Sequence, residues 1–318
     1  MDISLNKGIF LLSIDTELAW GSVHGGNYAK REILFKQSRH CISRLIKLLE
    51  KYQIHATWAI VGHLFLEKCQ PINGIKHPEI IRPTYSWYTN DWFDPDPCSR
   101  IEEAPFWYGR DIVEQIRNCE VSQEIGCHTF SHVRIGESGC SRECFATELH
   151  ACRVEAEKLG LNLQSFVFPR NSIRYLDVLS EAGFLTYRGV PSIWYERLPG
   201  LLSRICRRLN YYLPFPPPVA PPQRENGLLN LPASLFYPVT YKWPAQILGQ
   251  SRVSQAKRGL RQAVKRRLLF HLWFHPYNLA EDPDGLISDL EPIFAEVCRY
   301  REAGWLDNLT MGDLARSL

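Results

Sequence analysis

His128 and His132 stand four residues apart in His128-Thr129-Phe130-Ser131-His132. Two imidazoles at that spacing, with one carboxylate, form a common facial set for a divalent metal and leave positions open for water and substrate. On a turn of helix both rings would face one way. Asp15 and Glu17 in Ser13-Ile14-Asp15-Thr16-Glu17 offer the carboxylate, and His275 in Leu272-Trp273-Phe274-His275-Pro276 offers a third imidazole. Such a set suits amide hydrolysis. A metal polarises the carbonyl and acidifies a water, a carboxylate takes the proton, and a histidine protonates the departing amine. Each residue also has a plainer reading: two packed or surface histidines, an aspartate capping the next helix, and a strand-end histidine held by Pro276.

The surroundings of these residues favour the chemical reading. Apolar runs that end in polar residues alternate with stretches of helical spacing. The strands expected are 8–15, 54–61, 123–127, 166–168, 185–187, 229–233, 268–274 and 305–309; the helices are 35–52, 111–118, 142–159, 173–182, 253–267 and 286–303. About seven strand–helix repeats predict an α/β fold with a parallel sheet closed into a barrel. In such sheets chemistry gathers at the C-terminal ends of the strands, which is where Asp15-Thr16-Glu17, His128 to His132, Phe168-Pro169-Arg170-Asn171 and His275 fall. Two stretches interrupt the alternation. Residues 66–110 are rich in Pro, Trp, Tyr and Asp and read as an ordered excursion. Residues 196–224 carry Pro214, Pro216, Pro217, Pro218, Pro221 and Pro222 and read as a covering loop within one domain spanning 1–318.

Composition narrows the function classes. With 45% hydrophobic and 22% charged residues the chain is globular, and no segment reaches the length of uncharged apolar sequence that crosses a membrane. Met1 to Lys7 lacks the pattern of a secretory signal, so a cytoplasmic location is expected. The ten scattered cysteines then read as free thiols; a structural zinc site on Cys140, Cys144 and Cys152 lacks a visible fourth ligand. Residues 226–280 contain no acidic residue but carry Lys242, Arg252, Lys257, Arg258, Arg261, Lys265, Arg266 and Arg267, which reads either as a solvated helix face or as an attractor of anions. Nucleic-acid binding lacks any motif. Leu201 to Leu209 mixes apolar and basic residues and fits a buried amphipathic helix or a peripheral membrane contact equally.

Taken together, the four clusters resemble the polysaccharide deacetylase family, the NodB-homology or carbohydrate esterase family 4 group, from about Gly8 to Leu309. The family's first motif is typically Thr-Phe-Asp-Asp-Gly; Ser13-Ile14-Asp15-Thr16-Glu17 lacks the second aspartate and is similar to an Asp-x-Glu branch. The resemblance implies Asp15 as catalytic base and Glu17 as metal carboxylate, the alternative being Asp15 as ligand and Glu17 as structural. It implies His128 and His132 as ligands and His275 as general acid. It gives Arg170, which follows its proline where the family's arginine precedes one, the task of orienting the base. The family's tryptophan-containing fourth motif is not cleanly present; Leu231-Pro232-Ala233-Ser234 stands in its place. The implied fold is a distorted barrel of about seven strands, and the implied cofactor a divalent metal, commonly zinc.

The leading expectation is removal of acetyl from an N-acetylated sugar, with aromatic residues of the insertions (Trp87, Trp92, Trp107, Tyr108, Trp194) stacking on sugar rings or packing the core. A nucleotide-linked, lipid-linked or phosphorylated precursor would suit the basic block around Arg261 and Arg266. Hydrolysis of another linear or cyclic amide, and a non-catalytic carbohydrate-binding protein with a degenerate site, are the alternatives.

Overall fold

The computed structural model describes residues 2–25, 28–191, 199–212, 215–237 and 245–318. The uninterrupted apolar run after Lys7 forms β1 (Gly8–Thr16), buried at every residue, as a strand must be when helices or side chains cover both its faces. Along one edge β1 lies parallel to β9 (Leu269–Phe274). Along the other it has two successive partners: β10 (Leu306–Leu309) against Gly8–Leu11 and β2 (Thr57–Ile60) against Ser13–Thr16. Asn308 fills the junction, its amide bonding Phe10 O, His55 O and His55 N.

From β2 the sheet continues in parallel through β3 (Glu124–Cys127), β4 (Ser165–Phe166), β5 (Thr186–Gly189) and β7 (Leu228–Pro232), with β6 (Gln223–Glu225) antiparallel outside β7. Only Ala233 and Ser234 separate β7 from β8 (Leu235–Phe236), which pairs with β9. The amide of Ala233 still bonds Gly189 O on β5, while that of Ser234 bonds His271 O on β9. One segment therefore passes from one edge of the sheet to the other and closes a distorted α/β barrel of seven parallel positions.

The helices are α1 (Tyr28–Tyr52), α2 (Arg110–Arg117), α3 (Arg142–Lys158), α4 (Leu176–Glu181), α5 (Gly200–Tyr212), α6 (Ala245–Arg266), α7 (Pro276–Leu279), α8 (Pro283–Glu302) and α9 (Met311–Ser317). Ser141 caps α3 by accepting from Cys144 N at 3.1 Å. Among the described residues no helix is long and apolar enough to cross a membrane.

Both insertions depart in part from expectation. The excursion after a 3₁₀ turn at Gly62–Phe65 is ordered without regular elements. It is pinned by buried Ile80, Tyr85, Trp92, Phe93, Trp107 and Tyr108, each such side chain contributing on the order of 2 kcal/mol. It also holds a disulfide, Cys69–Cys98, which corrects the reading of all ten cysteines as free; eight remain thiols. Cys140, Cys144 and Cys152 are buried single thiols and belong to none of the ligand groups that converge among the described residues. The second insertion is not simply a covering loop. Its prolines begin only at Pro214, and the sequence before them forms α5, with Leu201, Leu202, Ile205 and Leu209 exposed.

The N-terminal end of the barrel is a stabilising polar junction. Glu124 Oε2 accepts from Thr57 Oγ1 at 2.7 Å and from Gly312 N, at the start of α9, at 2.9 Å. Its Oε1 accepts from Ser165 Oγ at 2.5 Å. Glu124→Ala should lower stability by roughly 2–4 kcal/mol, because it strands several donors at once. Denaturant unfolding checks this; a loss well under ~1 kcal/mol would contradict it.

Candidate active site

At the C-terminal end of the barrel, strand alternation places Ser13, Asp15 and Glu17 on one side of the β1 path. Glu17 is 4% exposed, and its Oε1 receives three imidazoles: His128 Nε2 at 3.2 Å, His132 Nε2 at 3.1 Å and His275 Nε2 at 3.3 Å. A Cβ at Gly21 would overlap the Glu17 carboxylate, so only glycine leaves that carboxylate free to aim at the histidines.

The two ligand-like histidines do not sit on a helical turn, as their spacing suggested. The segment after β3 is irregular, with Thr129 at φ 59° and His132 at φ 62°. Non-glycine residues in the left-handed region cost roughly 1–3 kcal/mol each and persist only where surroundings enforce them. The enforcing group is Glu148 of α3. It is fully buried and accepts from Phe130 N and Ser131 N at 2.8 Å each, with its other oxygen 2.5 Å from Ser131 Oγ. Gly62 N and His63 N bond the carbonyls of Thr129 and Phe130 from the other side. His128 is oriented in turn by its Nδ1, 2.7 Å from the carbonyl of Val167. That contact requires Nδ1–H and turns Nε2 toward Glu17.

Asp15 faces a different partner. Arg188, 1% exposed on β5, forms a two-point pair with it at 2.6 and 2.7 Å and reaches Ser13 Oγ at 3.0 Å. Its guanidinium lies 4.1 Å from the ring centre of Trp273. The pairing expected of Arg170 is therefore made by Arg188. Arg170 sits at φ 58° in the 3₁₀ turn Pro169–Asn171, exposed at the rim of the cleft. Its neighbour Asn171 does reach Arg188, at 3.3 Å.

Burial alone would raise the Asp15 carboxyl, but Arg188, His128 and His275 hold it below its usual range. Burial would likewise raise Glu17, and the surrounding imidazoles hold it well below. Burial dominates at His132, which is lowered despite Glu17. At His275 burial is outweighed by Glu17, Asp15 and the Asn278 side chain, and its basicity is raised. His275 Nδ1 lies 2.9 Å from Asn278 Oδ1, which fixes the ring with Nε2 toward Glu17 and Asp15, the latter at 3.7 Å.

The donor set fits a divalent cation. His128 Nε2 and His132 Nε2 converge on one buried carboxylate oxygen of Glu17, and the carbonyl of Val167 behind His128 Nδ1 is the kind of partner that orients a metal-bound imidazole. Glu17, His128 and His132 form one converging group and Asp15, Glu17 and His275 a second. The cleft above them, about 230 Å³, is lined also by Gly21, Arg31, Arg170, Asn171, Arg188, Trp273 and Tyr277.

Several expectations are redistributed. Trp273, rather than a residue of Leu231 to Ser234, forms a wall of the cleft; that segment closes the barrel instead. Trp92, Trp107 and Tyr108 are buried core residues, whereas Trp87 is exposed; Trp194 lies outside the described residues. Arg261 and Arg266 cannot reach the cleft. They lie in the last two turns of α6, which leads directly into the start of β9, hence toward the N-terminal end of the barrel. Lys242 lies outside the described residues. Arg188, Glu148, Asn278 and Arg31 had not been singled out.

No protein-family model and no curated protein matches the chain. Solved structures do. A putative polysaccharide deacetylase from Mycobacterium smegmatis is similar over 99% of this chain and 92% of its own, with TM-score 0.64 and 14% identity. A probable polysaccharide deacetylase from Pseudomonas aeruginosa PAO1 is similar over 98% and 90%, with TM-score 0.53 and 13% identity. The chain has the polysaccharide deacetylase fold. An allantoinase shares it as well, with TM-score 0.50 and 13% identity over 98% of this chain and 90% of the other. In the polysaccharide deacetylase fold adopted here, the strained loop after β3 hangs on Glu148, whose carboxyl is pushed up to about 7 by burial, against the donors of Phe130 and Ser131.

This raised value sets a pH dependence. Between 4.5 and about 7 the folded chain keeps a proton on Glu148 that the unfolded chain has released. Stability present below that window is therefore lost as pH rises through it, by about 3 kcal/mol. Glu148→Gln, which keeps an acceptor for the two amides, should remove most of this fall. Urea unfolding of chelator-treated parent and variant on either side of the window checks it; parallel pH profiles would contradict it.

Proposed function

We propose that the chain hydrolyses the acetamide of an N-acetylated sugar, releasing acetate. The observation that carries this reading is the separation of two carboxylates in one dry cleft. Glu17 meets His128 and His132, while Asp15 is clamped by Arg188, and His275 Nε2 lies 3.3 Å and 3.7 Å from the two. Glu17, His128 and His132 would hold a divalent cation, zinc by preference for one carboxylate and two imidazoles. When bound, that cation supplies Lewis acidity to the amide carbonyl and to a water. Asp15 accepts the proton of the attacking water, its position fixed by Arg188, which Ser13 Oγ holds in turn. His275, whose neighbours favour its charged form, protonates the departing amine from Nε2 while Asn278 holds Nδ1. Trp273 and Tyr277 offer flat apolar walls to a sugar ring.

Arg31 and Arg170 at the rim support a substrate carrying a phosphate or other anion, the role that α6 is too distant to play. A ring amide is the second reading, supported by the likeness to an allantoinase; acetyl, formyl and cyclic substrates assayed side by side separate the two. A degenerate binding protein has no use for the pair of His275 with its orienting Asn278.

Metal per chain, measured on the parent and on His132→Ala, should be about one and near zero at this site, with acetate release from acetamido sugars lost in the variant. No metal in either after supply of zinc or cobalt would overturn the hydrolytic reading. Arg188→Ala should lower kcat by roughly 10²-fold or more, since it frees the base. Arg170→Ala should raise KM for a phosphorylated acetamido sugar and spare a neutral one; equal effects on both would remove the anion from the reading.

A further inference from the structure

A second group of ligating side chains converges away from the cleft. His63 belongs to the 3₁₀ turn after β2, and Cys69, His77 and Asp96 to the excursion. All four are buried, at 0, 7, 8 and 1% exposure. His63 Nε2 lies 3.2 Å from His77 Nε2, and Asp96 Oδ2 lies 3.0 Å from each. Cys69 Sγ lies 3.4 Å from His77 Nε2. Tetrahedral zinc, with bonds of about 2.0–2.1 Å to nitrogen and about 2.3 Å to sulfur, sets nitrogens about 3.3 Å apart and sulfur about 3.5 Å from nitrogen. Four of the six edges already stand within about 0.3 Å of those lengths, and all four atoms lie within 4.8 Å of one another.

The outer contacts aim the same way. His63 Nδ1 lies 3.0 Å from the carbonyl of Trp107 and can only donate there. The Nε2 of a neutral His63 is then a bare lone pair, pointed at a second imidazole nitrogen and a carboxylate oxygen. His77 Nδ1 lies 3.5 Å from Glu79 Oε1. A carbonyl and a carboxylate behind two imidazoles are the usual partners that orient metal-bound histidines. Either a proton or a cation must sit among these groups.

With Cys69 joined to Cys98, its sulfur is not a thiolate. We propose that opening this disulfide converts the cluster into a structural zinc site, with His63 Nε2, His77 Nε2, Asp96 Oδ2 and the Cys69 thiolate as its four ligands. A dithiol reductant supplies the two electrons and two protons that turn the disulfide into two thiols, and leaves as its own cyclic disulfide. Zinc binding then releases the Cys69 proton to solvent. Four protein ligands with no open position mark a structural rather than a catalytic site. Its place is directly behind the histidine loop, since Phe130 packs on both rings, 5.5 Å from His63 and 5.2 Å from His77 between centroids.

Cobalt(II) provides the test, because a thiolate ligand gives a charge-transfer band in the near ultraviolet and no ligand-like residue of the catalytic cleft carries sulfur. The parent should lack the band as the disulfide and gain it after dithiol reduction and anaerobic removal of the reductant. Cys98→Ser should show it without reduction. Cys69→Ser should lack it under both conditions and bind one zinc fewer than Cys98→Ser. Both variants lose the cross-link and keep the other eight cysteines, so unfolding or stray thiol binding affects them alike. Absence of the band in reduced parent and in Cys98→Ser, with Cys69 titrating as a free thiol, would overturn the site and leave a proton-shared histidine–aspartate network. Persistence of the band in Cys69→Ser would overturn it equally.

Discussion

One oxygen of Glu17, in contact with almost no water, faces the Nε2 atoms of three histidines. That convergence is the constraint the rest of the molecule serves. A carboxylate and three imidazoles crowded into a poorly solvated place are stable together only where positive charge, as protons on the rings or a cation between them, neutralises the carboxylate. Backbone hydrogen bonds elsewhere would form in many folds. Holding these four groups together demands a rigid scaffold whose strand ends arrive from different directions. The barrel provides it: β1 brings Glu17, the loop after β3 brings His128 and His132, and the end of β9 brings His275.

The cost of that arrangement falls on the loop between His128 and His132. Two of its residues adopt left-handed backbone, one of them a β-branched threonine, and the strain is offset by a carboxylate from α3 rather than by the loop itself. Asp15 poses the complementary problem. Its negative charge beside Glu17 would be costly in isolation, and the Arg188 guanidinium, held flat over Trp273, compensates it within the barrel. Removing either member of a buried pair of this kind typically costs several kcal/mol, because the survivor has no water to turn to.

What could be read from the residues alone follows from this physics. The continuous apolar run of β1 and the carboxylates at alternate positions where it ends announce a buried strand and its carboxylate-bearing end. Asn278, three residues after His275, bears on that ring only through a turn whose existence the sequence scarcely signals. Arg188 escaped notice because the strand expectation stopped at Tyr187, leaving the arginine in an apparent loop; extended by two residues, β5 carries it into the barrel. Arg170 matched the family's arginine by its place beside a proline, whereas the buried partner of Asp15 comes from β5, a pairing that sequence order does not reveal. The Cys69–Cys98 pairing spans 29 residues without a motif. The prolines after Pro214 drew attention away from the helical stretch that precedes them.

The two ends of the barrel differ in what they can tolerate. Glu124 and Asn308 at one end each satisfy three or more partners, so substitutions there are felt by the whole chain. Arg31 and Arg170 at the other end border the cleft without supporting any strand. A substitution at Arg31 or Arg170 can therefore change the charge at the mouth of the cleft while the buried carboxylates and imidazoles beneath it keep their geometry.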